Sequence, residues 1–195
     1  FAEFSHGARA PEVTTASSEL RGNYRARVLM LGIDRLDYTK GIPLRFLAFE
    51  RLLEHYPDLR GDISLLQVVI PSRTEVPQYQ DLKAELDALA GRINGRFSSA
   101  GWVPIHYHFR SLDRTQLLAH YHACEIALIT PLRDGMNLVA KEYCAASVDN
   151  NGVLVLSEFA GAAAQFHRHA IIVNPYDVDA TADAIHQAYR MGRDE

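Results

Sequence analysis

Apolar residues recur along this chain in two alternating rhythms. Short, almost unbroken apolar runs at 28–33, 63–70, 103–109, 126–130, 153–156 and 171–173 have the length and β-branched content of strands. The stretches between them carry apolar residues at helical spacing. Phe46, Phe49, Leu53 and Tyr56 mark one such face, Val76, Tyr79, Leu82, Leu86, Leu89 and Ile93 a second, and 178–191 continues the pattern. Strands that alternate with helices imply a parallel sheet covered on both faces, and the lack of polar alternation within the strands agrees with that. The expected fold class is therefore α/β, a Rossmann-like doubly wound parallel sheet of six strands. Residues 1–25, with Pro11 and many small and charged positions, show no clear periodicity and read as a connecting segment. The ordered domain is expected over 26–195.

Such a sheet offers its ligand site at the carboxyl ends of the strands, and the unusual residues of this sequence fall there. Asp34 to Gly41 follow the first run, Pro71, Ser72 and Arg73 the second, and Arg110, Ser111 and Leu112 the third. Thr130 to Asn137 follow the fourth, and Ser157 to Gly161 the fifth. Arg35 and Lys40 lie five residues apart on one loop closed by Gly41 and Pro43, so a planar donor fork and a point charge can converge on a single diphosphate. The competing reading pairs Arg35 with Asp34 or Asp37 at the surface. In the fourth loop, Gly135 leads into a helix that Asn137 can cap. That leaves the amides of Leu138 and Val139 free to bind phosphate at the positive end of the helix dipole. Glu142 follows one turn later, placed for a ribose diol, and Asp134 stands before the glycine, placed for sugar hydroxyls. The alternative is an ordinary strand-to-helix turn with Asp134 and Glu142 solvated and Met136 in the core.

Composition narrows the choice further. The 195 residues carry 20 Lys+Arg against 24 Asp+Glu, a formal net charge of -4. A general nucleic-acid or anionic-membrane surface is therefore not expected, and any anion site must be local. Cys124 and Cys144 form no C-x-x-C pair and read as reduced, buried thiols. His106 with His108, His120 with His122 and His167 with His169 read as packing or surface pairs, because no third ligand accompanies them. No metal and no cofactor are expected. The sequence holds no apolar run of transmembrane length and no signal-peptide pattern, so the expected location is cytoplasmic. It opens on Phe1, which reads as a fragment or processed product. P-loop, G-x-S-x-G and first-strand G-x-G-x-x-G motifs do not occur.

Two long strings go beyond general chemistry: GIDRLDYTKG at 32–41 and TPLRDGMNLVAKEY at 130–143. With GRING at 91–95, VLVLSEFAGA at 153–162 and VNPYD at 173–177, they make residues 27–190 resemble the trehalose-6-phosphate synthases of glycosyltransferase family 20. The resemblance implies one half of a GT-B glycosyltransferase, the donor-binding domain, with residues 1–25 leading from a missing N-terminal domain. It implies transfer of glucose from a nucleotide-glucose, UDP-glucose by default, to glucose 6-phosphate, with retention of configuration and without metal, by front-face attack. Arg35 and Lys40 would bind the donor diphosphate, and Arg73 the acceptor phosphate. Leu112 would meet the base through its backbone, Leu138 and Val139 would offer amides to the diphosphate, and Glu142 would hold the ribose. Asp134, with the backbone of Gly135, Met136 and Asn137, would contact the glucose; Arg35, Lys40 and Asp134 are the residues expected to carry catalysis. The donor base stays open between UDP, ADP and GDP, as does a homo-oligomer. Rival readings are a pseudo-glycosyltransferase that couples a cyclitol to an amine and a non-catalytic nucleotide-sugar-binding module.

Overall fold

The computed structural model describes residues 2–149 and 151–191. Six strands form one sheet: β1 (Val28–Arg35), β2 (Ile63–Ile70), β3 (Ile105–Phe109), β4 (Ile126–Ile129), β5 (Val153–Ser157) and β6 (Ile171–Val173). All neighbours are parallel and the spatial order is β3-β2-β1-β4-β5-β6. The order reverses direction between β1 and β4, which opens a crevice above their carboxyl ends. Helices α3 (Ile42–His55), α4 (Pro77–Phe97), α5 (Arg114–Ala123), α6 (Leu138–Ala146) and α7 (Ala163–Phe166) connect the strands, and α8 (Val178–Arg190) follows β6.

The apolar positions do what their spacing predicts. Phe46, Phe49 and Leu53 of α3 and Leu86 and Ile93 of α4 are fully buried against a sheet whose central strands bury Leu29, Met30, Leu65, Leu66, Val68 and Leu128. Tyr56 departs from its expected face: it stands beyond the end of α3, stacked on His186 of α8 with ring centroids 3.8 Å apart. The third strand begins at Ile105 rather than at 103, because the chain first makes a tight turn in which Ser99 and Trp102 exchange backbone hydrogen bonds.

The stretch that read as an unpatterned connector contains two helices, α1 (Ala2–Ala8) and α2 (Pro11–Gly22), which pack against α5 and α6. Pro11 opens α2 at a first-turn position, where its missing N–H costs nothing. The buried face is made of Ala8, Val13 and Ser17, with Ser17 hydrogen-bonded to His122 at 3.0 Å. Small and hydroxylated residues supply that face, so it left no apolar stripe in the sequence. Among the described residues no helix is long and apolar enough to cross a membrane.

Candidate functional site

The loop after β1 turns through a short 3-10 segment, Tyr38–Lys40, which Asp37 caps by accepting from the Thr39 amide at 2.8 Å and the Thr39 hydroxyl at 2.7 Å. Gly41 then takes a left-handed φ of 66°, and a Cβ there would lie 2.6 Å from the Thr130 carbonyl, so only glycine lets this loop lie against the end of β4. The two loops are thereby brought together. Lys40 Nζ reaches Asp134 Oδ2 at 2.6 Å, with both side chains 15% exposed.

Asp134 organises the turn into α6. Its Oδ1 accepts from the amides of Met136 (3.3 Å) and Asn137 (3.1 Å), and its Oδ2 also accepts from Asn137 Nδ2 at 3.1 Å. Burial pushes the carboxyl's pKa upward, but Lys40 and the two amides outweigh it and hold the group below the usual aspartate range. The backbone of Asp134 is equally occupied. Its N–H donates to the Phe159 carbonyl at 3.2 Å, and its carbonyl accepts from Gly161 N–H at 2.8 Å. A side chain on Gly161 would collide with the Gly135 carbonyl at 2.1 Å, so the loops after β4 and β5 are fitted backbone to backbone.

Asn137, at φ 58°, caps α6 by accepting from the Ala140 amide at 3.0 Å. An asparagine tolerates this left-handed geometry better than most residues. The amides of Leu138 and Val139 have no acceptor among the described residues. They line a cleft of about 360 Å³ together with Ile33, Asp34, Arg35, Lys40, Ile70, Asp134, Met136 and Asn137. Arg35 forms no ion pair among the described residues; its two expected carboxylate partners are used elsewhere, Asp34 by Arg45 and Asp37 by the cap. A cation, a lysine and two free helix amides thus share one crevice at the point where the strand order reverses.

Apart from Met136, which lines this cleft, the remaining expected site residues are outside its lining. Met136 is 57% exposed rather than a core residue. Arg73 has a left-handed φ of 48° on the loop after β2 and hydrogen-bonds the Tyr79 hydroxyl at 3.2 Å. Leu112 packs partly against the core between β3 and α5. Gly135 presents its carbonyl to Gly161, and Glu142 accepts from the Tyr121 hydroxyl at 2.8 Å.

One feature beneath the cleft had no signal in the sequence. Arg45 of α3 is fully buried and ion-paired with Asp34, and also donates to Gln67 (2.9 Å), the Thr130 hydroxyl (3.0 Å) and the Lys40 carbonyl (3.4 Å). Gln67 completes the set by donating to Asp34 at 3.1 Å. This network joins β1, β2, α3 and the end of β4 under the Lys40 loop, and a charge so buried is tolerated because it is paired with Asp34 and each guanidinium nitrogen has a hydrogen-bond partner.

The thiols and histidines are packed away from the cleft. Cys124 is buried just beyond α5, and burial raises its pKa; Cys144 on α6 is half-buried and pushed up to about 11. His106 packs edge-on to Tyr24 at 4.5 Å, and His120 is buried with Nδ1 2.6 Å from the Gln116 carbonyl.

Comparison with known proteins identifies the family. The family model for glycosyltransferase family 20 matches residues 1–195. An alpha,alpha-trehalose-phosphate synthase [UDP-forming] A of Dictyostelium discoideum is 46% identical over 99% of this chain, and a trehalose-6-phosphate synthase of Sodalis glossinidius is 46% identical over 97%. These matches take in 26% and 39% of the two relatives, so the chain spans well under half the length of either. Among solved structures, an alpha,alpha-trehalose-phosphate synthase (UDP-forming) from Burkholderia xenovorans in complex with glucose-6-phosphate superposes with a TM-score of 0.93 at 44% identity, over 98% of this chain and 42% of that one. A structure from E. coli bound with UDP-2-fluoro glucose gives a TM-score of 0.89, also at 44% identity, over 98% of this chain and 42% of that one. With the family model matched from end to end, the chain belongs to glycosyltransferase family 20.

Proposed function

We propose that this chain is the donor-binding half of a trehalose-6-phosphate synthase, which transfers glucose from UDP-glucose to glucose 6-phosphate with release of UDP. The observation that carries the reading is the convergence of Arg35, Lys40 and the free amides of α6 on one cleft beside Asp134. The diphosphate of the donor sits on Arg35, Lys40, Leu138 and Val139, and the glucose lies toward Asp134 and the backbone of Gly135, Met136 and Asn137. As the glucosyl bond breaks, negative charge builds on the departing diphosphate, and fixed cations and helix amides stabilise it without reorganising. Glu142 holds the ribose, Leu112 meets the base, and Arg73 takes the acceptor phosphate. The remainder of the relatives' length supplies the other wall of the cleft, and the complete enzyme works in the cytoplasm.

The test is to incubate the complete polypeptide with UDP-glucose and glucose 6-phosphate and to identify the product by NMR. Trehalose 6-phosphate is expected, with this domain alone binding UDP but giving no turnover. No product from the complete polypeptide, or UDP binding that ignores loss of Lys40, would refute the reading.

A further inference from the structure

Glu142 lies four residues after Leu138 and so about one helical turn, roughly 6 Å, along α6 from that amide. A carboxylate that receives both hydroxyls of a ribose has to keep its plane fixed. A glutamate on a helix surface has three rotatable side-chain bonds, and ordering them on binding costs free energy.

In this chain one carboxylate oxygen is already held. Tyr121 of α5 is 1% exposed, its ring stands edge-on to Tyr143 of α6, and its hydroxyl donates to Glu142 Oε2 at 2.8 Å. Burial, with Glu142 and Asp34 nearby, raises the pKa of the phenol, so it remains a donor. Glu142 Oε1 has no protein partner among the described residues. A buried tyrosine hydroxyl can be satisfied by a carbonyl, as Tyr143 is by that of Cys124 at 3.1 Å. Meeting it with a half-buried carboxylate has a desolvation cost that a role for the charge offsets.

We propose that Tyr121 is a positioning residue for the ribose of the nucleoside diphosphate: its buried hydroxyl fixes the Glu142 carboxylate and leaves Oε1 to receive the diol. The inference rests on Glu142 being the ribose contact in the function proposed above. It adds a residue that never touches the ligand yet sets how well the ligand is read.

Tyr121→Phe removes one oxygen and keeps the ring packing, so a normal thermal melt is expected. By calorimetry its affinity for UDP should fall about tenfold, the effect of loosening one hydrogen bond to a charged group, while its affinity for 2′,3′-dideoxy-UDP stays at the wild-type value. In the complete polypeptide the donor KM should rise with kcat little changed. Adding Tyr121→Phe to Glu142→Gln should cause no further loss. If Glu142→Gln discriminates between the two nucleotides but Tyr121→Phe weakens both equally, or neither, Tyr121 is structural and the proposal is overturned. If Glu142→Gln itself fails to discriminate, the ribose assignment falls and this inference falls with it.

Discussion

Replacing Asp134 by Asn should tighten the binding of free UDP while slowing turnover. Lys40 Nζ sits 2.6 Å from Asp134 Oδ2, and both side chains are largely shielded from water. An arriving diphosphate has to take the ammonium from Asp134 or share it. A hydrogen bond to a charged partner contributes ~1.5–3 kcal/mol net, and an ammonium with three donors keeps part of that when it is shared. Removing the competitor should therefore strengthen UDP binding by ~1–2 kcal/mol, about 5- to 30-fold in Kd. Asparagine retains an acceptor for the Met136 and Asn137 amides, so the turn into α6 should survive. Turnover should drop because, in the proposed function, the glucose would lose its carboxylate contact. The assay is calorimetric titration of UDP into the wild type, Asp134→Asn, Lys40→Ala and the double variant. The gain should nearly vanish in the Lys40→Ala background, since it acts through that ammonium. Unchanged or weaker binding in Asp134→Asn, or an equal gain in both backgrounds, would refute the reasoning.

Three further expectations concern the clamp, its support and the histidines. In the complete polypeptide, Arg35→Ala and Lys40→Ala should each lower kcat on the order of 100-fold, as loss of one oxyanion donor does. The double variant should fall short of the product of the two losses, because in the proposed function both cations serve one leaving group. Arg45→Met leaves Asp34 as an uncompensated buried charge and should cost ~3–5 kcal/mol by urea denaturation; adding Asp34→Asn should recover part of it, and a strictly additive loss would argue against the network. Burial lowers the pKa of His106, His108 and His120 below the ordinary value of 6.5. The unfolded chain therefore takes protons first as the pH falls, so their contribution is complete above 6.5 and lost below it. The melting temperature should decline from about pH 7 to about pH 5, less steeply in His106→Gln, and identical profiles would exclude His106 as a cause.

What was legible in the sequence was what depends on local pattern. The almost unbroken apolar runs of β1, β2 and β4 announced strands covered on both faces, and Phe46, Phe49 and Leu53 announced the inner face of α3. The turn from Asp134 into α6 could be anticipated because its chemistry lies within six consecutive residues, Asp134 to Val139: a glycine, a cap and the helix amides. Pairings that depend on topology were not legible. Lys40 and Asp134 are 94 positions apart and meet only because β1 and β4 are neighbours in the sheet, and Tyr121 meets Glu142 only because α5 and α6 pack together. Arg45 carried no signal of its own, and nothing local to it revealed Asp34, Gln67 and Thr130 closing around the guanidinium. The helices of residues 2–22 were missed for a different reason: alanine and serine bury a face without leaving a hydrophobic stripe.

Asp134 is tied at both ends. Its N–H and carbonyl are held by the loop after β5, one carboxylate oxygen by two amides, and the other by Lys40 and Asn137. It behaves as a fixed post, unable to swing without breaking several bonds together. Lys40 is anchored through its backbone, and its long stem is held at the tip by one contact that a ligand can replace. The two sides of the cleft therefore play unequal parts when a donor arrives. The side that would read the shape of the sugar is set before binding, and the side that would read the charge of the diphosphate moves. Selectivity for the sugar would then cost little reorganisation, while the speed of capture and release would be governed by how readily a single ammonium changes partners.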